Sequence, residues 1–102
     1  MVLYEVNLTL GTSMREAFMA WLPGHIKRVL RAKGFKRAQI YEEETHPHKV
    51  TVFYQIESKK ALDLYFQGYG KEMREEALEK FRGQFEASRK VHSFIKEFTG
   101  EN

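Results

Sequence analysis

His25 is the residue best placed to do chemistry. It lies four residues after Trp21 in the run Trp21-Leu22-Pro23-Gly24-His25-Ile26, and on a helix that spacing sets the two rings one turn apart on one face. An imidazole beside an indole, next to a proline break, has the parts of a small site: a group that titrates near neutrality, a flat apolar wall and a local irregularity. Burial and nearby tyrosines would tune such a histidine as an acid, a base or a donor to a ligand. The plainer alternative is a half-buried histidine that satisfies a backbone carbonyl freed by Pro23, because buried polar groups are paired whatever their role. Of the two, the plainer is favoured.

Trp21 and Tyr69 are candidates to line a pocket beside His25, although aromatic residues at helical spacing usually serve the core. Tyr54, with Tyr4, is a further ligand-binding candidate, and which sheet face the two share is left open. Arg89 has the forked donor geometry to clamp a carboxylate, against an equally simple pairing with Glu5 or Glu57 across the sheet. His46-Pro47-His48 resembles a metal pair, but with only glutamates nearby in sequence it reads as a solvated hairpin tip, and no metal is expected. His92 adds nothing unless it approaches His25. Glu42-Glu43-Glu44 and the Lys71–Lys80 stretch read as solvated faces, with Glu72 opposing Glu76 and Glu76 pairing with Lys80. The chain contains no glycine-rich phosphate loop, nucleophile elbow or metalloprotease helix. No cofactor is expected.

These residues must be positioned by a short chain. Its 102 residues are one domain's worth, and the single domain is expected to span 1–102. Eight Phe, five Tyr and one Trp must find burial in the fold or against a partner, which argues against disorder. The absence of cysteine excludes disulfides, zinc ribbons and thiol nucleophiles. Strand-like alternation from Val2 leaves no room for a signal peptide, and no apolar run is long enough to cross a bilayer, so a bacterial, cytoplasmic protein is expected, without a membrane partner. The net charge of +3 arises from interleaved signs and points only weakly to polyanions.

Val2 to Leu10 alternates as a half-buried strand. Gly11-Thr12-Ser13 breaks it, with Thr12 or Ser13 as a helix cap and Glu16 completing a capping box. Met14, Ala17, Phe18, Trp21, Leu22, His25, Ile26, Val29 and Leu30 then form an apolar helical stripe, kinked or restarted at Pro23, with Gly34 as its C′ residue. Phe35–Glu44 and Lys49–Glu57 read as a hairpin about a Thr45–His48 turn. Ser58 caps a second helix that bends or divides near Tyr69, between Gly68 and Gly70. Gln84–His92 is a fourth strand, followed by a short helical turn over Ser93–Phe98. The order β-α-β-β-α-β predicts an α+β, ferredoxin-like fold: a four-stranded antiparallel sheet with two helices on one face.

The second sheet face also appears apolar from the alternation, because each register leaves residues such as Leu3 or Phe53 outside. An exposed apolar patch of that size marks an interaction surface. A homodimer packed sheet against sheet, a dimeric α+β barrel, is therefore expected.

Several segments in combination resemble a group of short, mostly bacterial proteins of unknown function within the dimeric α+β barrel superfamily. They are Trp21-Leu22-x-x-His25-Ile26-x-x-Val29-Leu30, Gly34-Phe35-x-x-Ala38, Tyr54-x-x-Glu57-Ser58, Leu62-x-x-Tyr65, Met73-Arg74-Glu75-Glu76, Lys80-Phe81 and Phe85-x-Ala87-x-Arg89-x-Val91. The likeness runs from Val2 to about Val91. It implies the fold and dimerisation but no reaction. Relatives carry a histidine near the middle of the second helix where this chain has Tyr69-Gly70, which puts paired-histidine chemistry in doubt here. The wider superfamily includes small oxygenases, isomerases, lactone-processing and haem-degrading enzymes and ligand binders, an analogy at the level of fold.

The resulting expectation is a homodimer that binds a small apolar or aromatic molecule in a helix–sheet pocket near His25. A cofactor-light enzyme of oxygenase, isomerase or lactone-processing type and a ligand-free structural or regulatory dimer are the alternatives. Whether the chain is an enzyme stays open. RNA-recognition domains share this element order, but Lys49-Val50-Thr51-Val52-Phe53-Tyr54 lacks their glycine spacing and the basic cluster Lys27–Arg37 lies at a helix end, so nucleic acid is not an expected partner.

Overall fold

The computed structural model describes residues 1–101. Strand β1 covers Val2–Leu10, helix α1 Arg15–Val29, β2 Phe35–Glu43, β3 His46–Ile56, α2 Lys59–Gln67, α3 Tyr69–Lys80 and β4 Phe85–Ser93. The strands lie in the order β2-β3-β1-β4, each antiparallel to its neighbour. This is the ferredoxin-like arrangement the sequence predicts, with the second helix divided so that the order is β-α-β-β-α-α-β.

Register decides which side chains face the helices. Tyr4 lies opposite Tyr54 on β3 and Val91 on β4, and Val6 lies opposite Val52 and Arg89. Directly paired residues share a face, so all six look the same way. That face is the core: Val2, Tyr4, Leu8 and Leu10 of β1 and Val50, Val52, Tyr54 and Ile56 of β3 are buried with Phe18, Leu22, Ile26 and Val29 of α1. Ala61, Leu62 and Tyr65 of α2 and Met73 of α3 complete it.

Helix α1 differs from expectation at its start. Neither Thr12 nor Ser13 caps it; the N-cap position is Met14, which makes no side-chain cap bond. Met14 is instead buried, so the chain enters the helix by packing rather than by capping. The helix also runs on through Pro23 without a restart. Pro23 is exposed, so the Met19 carbonyl left without its helical donor lies toward the solvent side, where water can serve it. Gly34 is not a C′ residue. It lies in the turn before β2 with a φ of 87°, after a helix whose C-cap is Leu30.

Division of the second helix has a steric cause. Gly68 leaves helical geometry between α2 and α3, and α3 then crosses directly against Tyr65. A Cβ on Gly70 would stand 2.6 Å from the Tyr65 carbonyl oxygen and 2.8 Å from its ring. Only glycine permits that approach.

Three further expectations are corrected. β3 begins at His46, so the hairpin turn is Glu44-Thr45 rather than Thr45–His48. Ser93 ends β4 and the residues after it form no helical turn, since so short a helix has too few hydrogen bonds to offset nucleation. The uncovered sheet face is also more polar than the alternation suggested. Leu3, Phe53 and Tyr41 lie there among Glu5, Asn7, Gln39, Thr51, Gln55, Lys90 and His92. A hydrogen-bonded chain runs across it: Thr51 donates to Asn7 Oδ1 at 2.7 Å, Asn7 to Glu5 Oε2 at 2.7 Å, and His92 Nε2 lies 2.9 Å from Glu5 Oε1.

Candidate functional site

A cavity of about 520 Å³ lies between the helices and the sheet. Its cause is topological. Helices α2 and α3 pack on each other and α2 on β3, while α1 meets β4 through Phe18 against Phe85 at the start of that strand. The rest of β4 is left open, and the residues bordering the space come from β1, β3, β4, α1, α2 and α3.

One wall is aromatic. The His25 imidazole stacks on the Trp21 indole with centroids 4.5 Å apart and planes inclined by 23°. Phe18 lies beneath, packed against Trp21, Phe81 and Phe85 at 5.5, 4.9 and 5.4 Å. Across the cavity Tyr4 and Tyr54 stack at 5.8 Å.

His25 is not paired with a backbone carbonyl freed by Pro23. Its Nδ1 lies 3.0 Å from Glu76 Oε1, and Arg28 takes the same carboxylate through Nε, 3.1 Å from both oxygens, and through a second guanidinium nitrogen. Glu76 thus fastens α3 to two consecutive turns of α1. The expected pairing with Lys80 is displaced because the bidentate guanidinium is the stronger partner. Hydrogen bonding from Arg28 holds the Glu76 carboxyl below its ordinary range, so it stays ionised and Nδ1 carries the histidine's proton toward it. That tautomer leaves Nε2 as the acceptor. Nε2 makes no hydrogen bond in the protein and is not sealed from solvent, among the described residues.

Burial lowers the His25 pKa, with the Glu76 hydrogen bond opposing the effect and the Arg28 charge adding to it. His25 is therefore neutral at pH 7: a weak base but a ready acceptor. Because the folded value lies below the ordinary one of about 6.5, the stability this histidine confers is fully present above pH 6.5 and is lost as the pH falls from there through the lower folded value. A proton-NMR titration is expected to give a His25 midpoint below 6.5, and Glu76→Gln should lower it further by removing the charge that supports the imidazolium. A midpoint above 6.5 would refute this account.

Of the residues proposed from sequence, Trp21, His25, Tyr54 and Arg89 border this one cavity. Tyr69 does not. It borders a separate hollow with Ala61 and Leu64, and its hydroxyl donates to the Arg28 carbonyl at 2.7 Å. Arg89 pairs with neither Glu5 nor Glu57: Glu5 is on the opposite face with His92, and Glu57 pairs with Lys36 at 3.4 Å. His92 is accordingly remote from His25. His46 pairs with Glu43 at 3.1 Å at the hairpin tip, its ring 5.7 Å from that of His48.

Sequence reasoning missed Tyr65, Arg74 and Glu76 as neighbours of the site. Arg74 follows Met73, and a residue one step from a buried position borders the buried stripe. That was the available signal. Burial raises the pKa of Tyr4, which Arg89 and Arg74 partly offset, and burial likewise raises those of Tyr54 and Tyr65. All three phenols remain protonated donors.

Fold and cavity together define an α+β protein of the ferredoxin-like class seen in antibiotic biosynthesis monooxygenases. A provisionally assigned antibiotic biosynthesis monooxygenase from Deinococcus radiodurans superposes with a TM-score of 0.81 at 11% identity, covering 100% of both chains. SnoaB, a cofactor-independent oxygenase from Streptomyces nogalater, gives 0.77 at 14% identity over 97% of each chain. A conserved protein from Methanosarcina mazei gives 0.70 at 15% over 89% of this chain and 90% of the other. At such identities the likeness establishes the fold and not an activity. No curated protein matches by sequence. Residues 1–95 match the family described as Domain of unknown function (DUF4286), and the chain belongs to that family.

Proposed function

We propose that the chain is a homodimeric small-molecule-binding protein whose apolar or aromatic ligand occupies the helix–sheet cavity beside His25. The observation that carries this reading is the cavity of about 520 Å³, walled by stacked aromatic rings and served by a few convergent polar groups. Apolar pockets of this size with sparse polar anchors are the usual form of ligand sites. The aromatic residues of the central strands favour it over RNA binding: Tyr4 and Tyr54 lie under the helices, leaving Phe53 on the open face.

A thermal-shift screen with haem, quinones, lactones and aromatic acids, read together with native mass spectrometry, tests the proposal. A true ligand at a hundred times its Kd adds about 2.7 kcal/mol, a Tm rise of roughly 10 °C or more for a domain of this size. No shift with any class, and no adduct, would overturn it. A second reading, a cofactor-light enzyme, draws on the unpartnered Nε2 of His25 and on the fold shared with SnoaB. The same incubations address it: loss of ligand with the native chain, abolished in His25→Gln while binding persists, marks turnover.

The second copy belongs to the proposal as well. A broad hollow of about 930 Å³ over the uncovered sheet face is bordered by Leu3, Tyr41 and Phe53, which suits packing against another sheet. The segment after β4 holds Phe94, Ile95 and Phe98 at 59%, 92% and 82% exposure, more apolar surface than a small monomer leaves wet. Sedimentation equilibrium at micromolar concentration is expected to return about twice the 12.1 kDa chain mass. A single 12.1 kDa species would refute the dimer. Residence in the cytoplasm is part of the same reading.

A further inference from the structure

Three cationic side chains, Lys71, Arg74 and Arg89, border the cavity against one carboxylate, Glu75. Such an excess is unusual where the other walls are aromatic and aliphatic, because an unpaired charge beside apolar surface loses hydration without compensation. Arg74 is half-buried on α3, while Arg89 on β4 and Lys71 are exposed at the cavity's rim. Among the described residues neither arginine takes part in an ion pair. Three carboxylates are engaged elsewhere, Glu76 with Arg28, Glu5 with His92 and Glu57 with Lys36, while Glu75 pairs with neither arginine.

The surrounding polar atoms share this donor character. The hydroxyls of Tyr54 and Tyr65 make no hydrogen bond among the described residues, and neither is sealed from solvent; both side chains border the cavity, Tyr65 the neighbouring hollow as well. The Tyr4 hydroxyl lies beside Arg89. Two guanidinium forks and a set of phenol donors, with the aromatic wall behind them, complement one kind of molecule. It has a flat apolar body and an oxygen-rich negative end.

Resting on the cavity reading above, we infer that the ligand is a planar apolar anion whose carboxylate is held by Arg74 from α3 and Arg89 from β4. The ring system lies toward Trp21, Phe18 and the Tyr4–Tyr54 stack. Arg74 and Arg89 act as a specificity pair, selecting for charge what the aromatic wall selects for shape.

Isothermal titration with 2-naphthoic acid and its neutral isostere 2-naphthamide tests this. The acid is expected to bind at least about tenfold more tightly, the scale of one good charge-assisted contact. Arg74→Gln and Arg89→Gln should each weaken the acid by about tenfold and leave the amide within about twofold, while Arg82→Gln, away from the cavity, changes neither. Should the amide bind as tightly as the acid, or the substitutions weaken both alike, the anion inference falls and the cavity reading stands. Should neither compound bind, the anion inference falls, and the cavity reading is decided separately by the thermal-shift screen. The acid–amide contrast in the native chain decides the matter even where a variant fails to fold.

Discussion

Phe18→Ala is expected to remove about 3–5 kcal/mol of folding stability, much of what a domain of this size possesses. Phe18 is 1% exposed and contacts Trp21, Phe81 and Phe85 with tilted rings. Truncation loses the buried ring and its aromatic contacts together, and it opens space continuous with the existing cavity rather than a sealed void. Water entering from the cavity side would limit collapse of the neighbours, which keeps the cost near the upper end. Urea unfolding followed by tryptophan fluorescence measures it directly, since Trp21 reports on the lesion. A loss under about 1 kcal/mol would mean that Phe18 is not packed as described.

Gly34→Ala is expected to cost about 3 kcal/mol or more, from two separate causes. The residue has a φ of 87°, a conformation that costs an L-residue about 1–2 kcal/mol. In addition its new Cβ would stand 2.7 Å from the Ala61 Cβ and 3.1 Å from Glu57 Cγ, so α2 must move from the end of β3. Gly83 supplies the control. It has a φ of 72° but nothing within 4 Å of a built Cβ, so Gly83→Ala should show the backbone cost alone. Equal losses for the two variants in parallel urea titrations would remove the packing explanation.

The elements were legible because their signals are local. Alternation in Val2–Leu10 requires only the period of a strand, and the Phe18-Leu22-Ile26-Val29 spacing requires only that of a helix. Four of the five proposed ligand residues border one cavity for the same reason: helix α1 sets Trp21 and His25 on one stripe, and strand parity sets Tyr54 and Arg89 on one face once the register is known. Register is not encoded locally: only the pairing of β1 with β3 sets which side of the sheet Tyr4 and Tyr54 share.

Local pattern alone specifies the order of elements, most of each buried stripe (Ala17 and Leu78 are exposed) and a break near Tyr69, which falls at Gly68, all consequences of short-range sterics and hydrophobic period. The tertiary structure alone decided which long-range partners meet. Glu76 abandons its own helix for Arg28 and His25 because α3 crosses beside α1, and Tyr69 turns to a backbone carbonyl because the division at Gly68 redirects it. Arg74 and Arg89 come to border one space because α3 and β4 lie on its two sides. Partner choice of this kind depends on distances across the fold, and no periodicity in a chain encodes them.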